Sequence, residues 1–306
     1  MKKIAVRSAI CSILLLLASA CAPVPTPTPT GTETPAATTT LTLTAALTAT
    51  PSPTLPPSAT PTATPALPAP VPQVQVSVIE GPHGDIAPTL PRLPQVQFIY
   101  HGDRSKPYVA LTFDLCQKPE YPAWFDHGIY DVLLRYDAPA TFFMGGDWMR
   151  THPAETLLLA QNPKFEMGNH SWDHPDLPDL NEAQINREIV KTQNLLYKMT
   201  GRTAHLFRLP SGLYNDLTLS VLAWNGLYTI QWDVETGDPD PTIDAARLNW
   251  VVRQRVQNGS IIIMHANGRG WHTAEALPGI IEYLRSQGYT LVTVSQLIGL
   301  EPIPGN

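Results

Sequence analysis

At 306 residues the chain is long enough for one large domain or two small ones. It carries 20 Lys and Arg against 26 Asp and Glu, a net charge of −6, and has no basic run, which argues against nucleic acid as a partner. Its cysteines stand at 11, 21 and 116. The folded part therefore holds one thiol, can form no internal disulfide, and must be held together by burial.

The first 21 residues read as an export signal. Lys2, Lys3 and Arg7 make a basic start, Ile13 to Leu17 a short apolar core, and Ala18-Ser19-Ala20-Cys21 a small-residue close. A membrane-spanning helix would need roughly 20 apolar residues. A cysteine directly after small residues resembles a bacterial lipoprotein processing site, although Leu17 lies one position further out than that motif prefers. The other reading is ordinary secretory cleavage near Ala20. On the first reading Cys21 carries several acyl chains, because one alone binds a membrane only marginally. The protein is then an exported, membrane-anchored lipoprotein at the outer or periplasmic face of a bacterial envelope. Loss of the three leader cations takes the net charge from −6 to −9.

Residues 22–72 are Pro, Thr and Ala in near-alternation, with Glu33 the only charge. Such a stretch cannot bury enough apolar surface to offset its ordering entropy, and its prolines make it a semi-rigid spacer. Its threonines are O-glycosylation candidates. Residues 73–95 lead in, either packing on the domain or extending the stalk. The folded domain occupies 96–306 and is expected to be a monomer.

Within that domain the strands predicted are Tyr108 to Phe113, Ala140 to Met144, Phe165 to Gly168, His205 to Phe207, Tyr228 to Gln231, Ser260 to Met264 and Tyr289 to Val292. Between them run helices. One opens at Asn181-Glu182, ends near Met199 and is stopped by Gly201. The next is capped by Asp244, runs to about Gln257 and is ended by Asn258-Gly259. The third covers Ala274 to Gln287 and is ended by Gly288. Alternation of this kind predicts a parallel sheet with helices outside, and seven repeats of the unit favour a closed or nearly closed barrel.

Asp114, His170, Arg208, Asp233 and His265 each follow a predicted strand. In a parallel barrel that end is one face, where sites are built. His170 and His174 are four apart, so on one helical turn their nitrogens could converge on a cation; otherwise they are two unrelated histidines of a polar loop. Asp114 emerges from an apolar strand, placed as a general base or a structural partner. Arg208 could hold a carboxylate bidentately, and Gly212 permits a tight turn that exposes backbone N–H groups. His265 closes a buried run, as an acid or a satisfied core histidine.

Together these residues resemble the NodB-type polysaccharide deacetylases, carbohydrate esterase family four, from about Tyr108 to Ile298, with five motifs in the family's order. The resemblance implies a distorted seven-stranded (β/α) barrel of parallel strands with outer helices. It implies one divalent metal, zinc with cobalt or nickel as alternatives, and an N-acetylated polysaccharide as substrate. It makes Asp114 the base, Arg208 its orienter, His170 and His174 metal ligands, the Ser211 N–H an oxyanion donor, His265 the acid and Asp238 its partner. Trp232, Leu213 and Trp271 would give the sugar an apolar floor, or are plain core.

The family's usual Thr-Phe-Asp-Asp-Gly is here Thr112-Phe113-Asp114-Leu115-Cys116, so the second Asp, a metal ligand, is missing. Three readings stand: Cys116 ligates instead; Asp114 ligates and shares the base role with water or Asp233; or the domain is catalytically reduced. Pro239 also replaces a frequent Trp. The function expected is N-acetyl removal from peptidoglycan or a chitin-like polymer. The rivals are a glycan-binding protein without turnover and an O-acetyl esterase.

Overall fold

The structure, a computed structural model, describes residues 83–121 and 123–300. The expected leader, the spacer and residues 73–82 of the lead-in lie outside the described residues. From His83 to Leu93 the chain lies along two helices. His83 packs on Tyr197, Ala87 N–H donates to Asn194, Arg92 covers Trp224, and Leu93 N–H donates to the Ala223 carbonyl.

Among the described residues nine strands form one parallel sheet. They are β1 (Phe98–Ile99), β2 (Tyr108–Leu115), β3 (Ala140–Met144), β4 (Phe165–Asn169), β5 (Leu206–Phe207), β6 (Tyr228–Ile230), β7 (Val234–Glu235), β8 (Ile261–His265) and β9 (Thr290–Val292). Their order is β1-β6-β5-β4-β3-β2-β8-β7, with β9 beside the start of β2. All seven expected strands are present, and β1 and β7 are additional two-residue strands. They account for the curl. Gln231 to Asp233 carry the chain from β6 across to β7, which pairs with β8. His101, just beyond β1, bridges Ser260, just before β8. The sheet thus curls into a half-barrel whose edge strands β1 and β7 do not pair.

Among the described residues eight α-helices surround it: α1 (His127–Arg135), α2 (Gly146–Thr151), α3 (Pro153–Gln161), α4 (Glu182–Thr200), α5 (Asp216–Trp224), α6 (Ala245–Arg255), α7 (Thr273–Ser286) and α8 (Val294–Leu297). The predicted ends of α4 hold for the reason expected. Asn181 and Gln184 form a capping box, and Gly201 closes the helix at φ 71°. The helix capped by Asp244 stops at Arg255 because Val256 is already extended.

Strand β2 shows how the sequence sorts the two faces. Side chains alternate along a strand. Val109, Leu111, Phe113 and Leu115 join the core between sheet and helices. Ala110 faces the barrel interior with Phe143, Leu206, Ile230 and Ile261, where Val294 and Leu297 of α8 also pack. Thr112 and Asp114 have the interior parity. A parallel sheet covered on both faces needs near-continuous apolar strands, and β2 and β8 are that.

Candidate active site

Asp114 is almost fully buried near the end of β2 and pairs in register with His265 of β8. Its Oδ1 accepts from Arg208 Nη1 at 2.9 Å. Arg208 follows β5, is fully buried, and also donates to Thr112 Oγ1 and the Gln231 carbonyl. Its guanidinium lies 4.0 Å over the Phe143 ring. That ring fits because Gly168 lacks a side chain: a Cβ there would stand 2.4 Å from it. Burial alone would raise the Asp114 carboxyl, but Arg208, His170 and His265 outweigh it and hold the group below the usual carboxylate range. A buried carboxylate fixed at one oxygen and kept ionised is suited to accept a proton at the other.

His170 and His174 converge as expected, but by a different backbone. Residues 170–174 are not helical; Ser171 and His174 take positive φ of 64° and 59°. Pro175 disfavours helix at His174. Local hydrogen bonds hold the loop instead: Asn169 Oδ1 accepts from Ser171 N–H, and Glu188 from the N–H groups of Trp172 and Asp173. His170 Nδ1 pairs with the Arg208 carbonyl at 2.9 Å. Its Nε2, and Nδ1 of His174, are buried without a partner.

The Cys116 sulfur completes a group whose three donor atoms lie within 4.8 Å of one another. Two orphaned imidazole nitrogens beside a thiol are what a divalent ion would satisfy, since unpaired buried polar atoms are otherwise costly. Burial holds both histidines neutral, His170 below its ordinary range and His174, also beside His170, down to about 3. Burial and the Asp114 charge push the Cys116 thiol up to about 12. A cation among the three would reverse that preference, because a coordinating thiol is deprotonated.

His265 ends β8 with Nδ1 2.9 Å from Asp238 Oδ1. Asp238 is buried and also accepts from the His265 N–H and Thr273 Oγ1. Burial opposes an imidazolium at His265, but Asp238 prevails and its pKa is raised. With Nδ1 engaged, Nε2 is the nitrogen left to deliver a proton. Asp114, His174, Ser211, Trp232, Asp238 and His265 line one cleft of about 200 Å³. Ser211 has φ 54° there.

The profile of the family described as Polysaccharide deacetylase matches residues 101–230. The peptidoglycan-N-acetylmuramic acid deacetylase PdaC of Bacillus subtilis is 35% identical over 199 residues, covering 64% of this chain and 39% of PdaC. Its solved structure is 32% identical and superposes with a TM-score of 0.55 over 64% of this chain and 91% of that one. The chain belongs to the polysaccharide deacetylase family. The uncharacterized protein YlxY of Bacillus subtilis is 30% identical over 207 residues, 67% of this chain and 61% of YlxY. This chain thus spans less than two thirds of both relatives. A solved structure from Bacillus anthracis, described as a CE4 family pseudoenzyme, is 26% identical with a TM-score of 0.61, covering 68% of this chain and 71% of that one.

Against the family pattern this deacetylase-family domain departs at its first motif, and the structure gives the reason. Leu115 is fully buried in the helix-facing core, so its side chain points away from the histidines. Cys116, two beyond Asp114, reaches them. Asp114 lies outside the three-donor group, with Oδ2 3.6 Å from His170 Nε2. Asp233 is not part of the site. It binds Arg104, Ser260 Oγ and the Ile261 N–H at the start of β8, because the chain restarts there as β7. Leu213 is exposed beyond the Ser211 turn and is not on the cleft wall. Trp232 is on that wall, and Trp271 lines an adjoining cleft. Sequence reasoning missed Asn267, whose Nδ2 donates to the Cys116 carbonyl at 2.7 Å and sulfur at 3.4 Å. Its only signal was its place two residues after His265.

Proposed function

We propose that this chain is a divalent-metal-dependent hydrolase that removes N-acetyl groups from an envelope polysaccharide, peptidoglycan or a chitin-like N-acetylglucosamine polymer. We place it at the membrane as an exported lipoprotein. One observation carries the reading. A carboxylate with lowered pKa and an imidazole with raised pKa line one cleft, beside a Cys/His/His cluster of which Cys116 and His170 are buried and His174 half-buried. Opposed shifts of this kind separate a base from an acid.

Asp114, oriented by Arg208, takes a proton from the attacking water. The Ser211 N–H is the backbone donor for the developing oxyanion. His265, whose imidazolium is favoured by its pairing with Asp238, protonates the departing sugar amine as the C–N bond breaks and acetate leaves. Cys116, His170 and His174 would hold the ion, and a sulfur with two imidazoles suits zinc, with cobalt or nickel as substitutes. When bound, such an ion supplies Lewis acidity that polarises an acyl carbonyl. The relatives' names, peptidoglycan deacetylases among them, support the substrate class.

A second reading, a glycan-binding protein without turnover, is favoured by the missing aspartate and by the pseudoenzyme neighbour. Acetate release from N-acetylglucosamine oligomers and peptidoglycan, with added zinc, cobalt or nickel, decides between them. Release that His170→Ala abolishes supports the hydrolase. Glycan binding with no acetate under any metal supports the second reading.

A further inference from the structure

Beside the catalytic cleft lies a second one of about 500 Å³, sharing His174 and Arg269 with it and reaching Cys116. Its wall carries Tyr121, Trp124 and Trp271, which are 73%, 56% and 53% exposed, too much for core residues. These rings are not loose ornaments. Trp124 lies on Gly268, where an added Cβ would stand 2.2 Å from the indole. The backbone N–H of Trp271 donates to the Asp238 carbonyl, tying this loop to the partner of His265. The Ala266–Trp271 loop therefore joins the acid, the Cys116 contact through Asn267, and the aromatic wall.

The charge of this cleft runs against that of the protein. The chain is net −6, yet the only charged side chains on the wall are Lys118 and Arg269, His174 being neutral. Both are exposed, and neither has an ion-pair partner among the described residues. Glu120, on the same segment as Lys118, is exposed but not on the wall. Exposed aromatic faces hold the apolar face of a pyranose, and two unpaired cations recognise a carboxylate.

We propose that this cleft is a subsite for a carboxylate-bearing sugar, its ring on Trp124 and Trp271 and its carboxylate held by Lys118 and Arg269. The inference rests on the deacetylase reading for the neighbouring cleft. The substrate is then an anionic polysaccharide in which the acetamido sugar adjoins a uronic or O-lactyl acid.

The test is binding, kept apart from turnover. Affinities are measured by calorimetry on the chain carrying Asp114→Asn. The probes are an N-acetylglucosamine tetramer, an alternating N-acetylglucosamine–glucuronate tetramer, and an N-acetylglucosamine–N-acetylmuramate tetramer with free lactyl carboxylates. At least one anionic tetramer should bind about tenfold tighter than the neutral one, with the gap narrowing at high salt, and the tighter of the two names the acid. Lys118→Ala with Arg269→Ala should bring the ratio to about one, while Lys118→Arg preserves it. Trp271→Ala should weaken all three. Equal affinities in the parent, or a preference that survives the double substitution, overturns the proposal. Acetate release from wild type with no anionic preference defeats this subsite and spares the hydrolase. An anionic preference without acetate release under any metal does the reverse.

Discussion

Asp114 and Asp233 each meet an arginine, at 2.9 Å to Arg208 and 2.7 Å to Arg104, and they flank opposite ends of β8. In the sequence both stand after apolar strands. The structure separates them by what is left over. Asp233 spends Oδ1 on the Ile261 N–H and Oδ2 on Arg104 and Ser260, so its acceptors are filled from three sides. Asp114 spends only Oδ1 on Arg208, and Oδ2 accepts no hydrogen bond and faces His170 Nε2 at 3.6 Å. Burial differs too: the side chains of Asp114 and Arg208 are 5% and 0% exposed, those of Asp233 and Arg104 16% and 35%. A satisfied carboxylate braces a strand start; a buried one with an idle oxygen can move a proton.

Asp114→Asn should draw that contrast most sharply, lowering kcat for acetate release by about 10³- to 10⁴-fold. Asp233→Asn should leave kcat within about threefold of wild type, and comparable losses in both would erase the distinction. Next comes stability. Arg208→Leu strands a buried carboxylate and should cost about 3–5 kcal/mol in urea denaturation. Arg104→Leu breaks a more exposed pair and should cost about 0–1 kcal/mol. Equal costs would contradict the burial argument.

Third, Leu115→Ala should lose about 3 kcal/mol of stability, in the middle of the range for buried leucines, yet keep its metal. Cys116→Ala should keep most stability and lose metal during dialysis. Equal metal content in the two would strike Cys116 from the ligand set.

The smallest effect concerns a third carboxylate. Glu166 is buried without a cation, accepting from Thr141 Oγ1 and the Ser295 N–H, and burial raises its pKa. The folded state thus binds that proton more tightly than the unfolded chain. Its contribution is present on the acid side of the ordinary carboxylate range and is lost as pH rises through the raised pKa. Glu166→Gln should flatten this decline, by on the order of 1 kcal/mol, in Tm measured against pH. A decline unchanged by the substitution would assign it to other groups.

How much of this was legible follows from the physics of each segment. β2, β3 and β8 read clearly because burial on both faces favours near-continuous apolar runs. The helices capped at Asn181 and Asp244 announced their starts by side chains that bond the free N–H groups. β1 and β7 were silent; like β5 they are two residues long and carry no periodicity of their own. That silence misplaced Asp233: the rule of strand ends needs to know where a strand restarts, and the step through Gln231 to Asp233 leaves no pattern. The histidine pair was found through a helical spacing that the loop does not use. The aromatic cleft was missed, apart from Trp271, because Lys118, Tyr121 and Trp124 come from a segment without periodic structure. Only the fold sets them beside Arg269.

The orientation of Leu115 has a consequence for how this site could change. Its side chain sits among Phe113, Met144 and their neighbours on the far side of the strand from the histidines. Placing the family's usual aspartate at 115 would bury a lone carboxylate in hydrocarbon, a heavy penalty with no ligand gained. The side chain that reaches the histidines instead comes from the next residue along the chain, Cys116. An aspartate at 115 alone would therefore add no donor beside the histidines, and the position from which a side chain reaches them is 116.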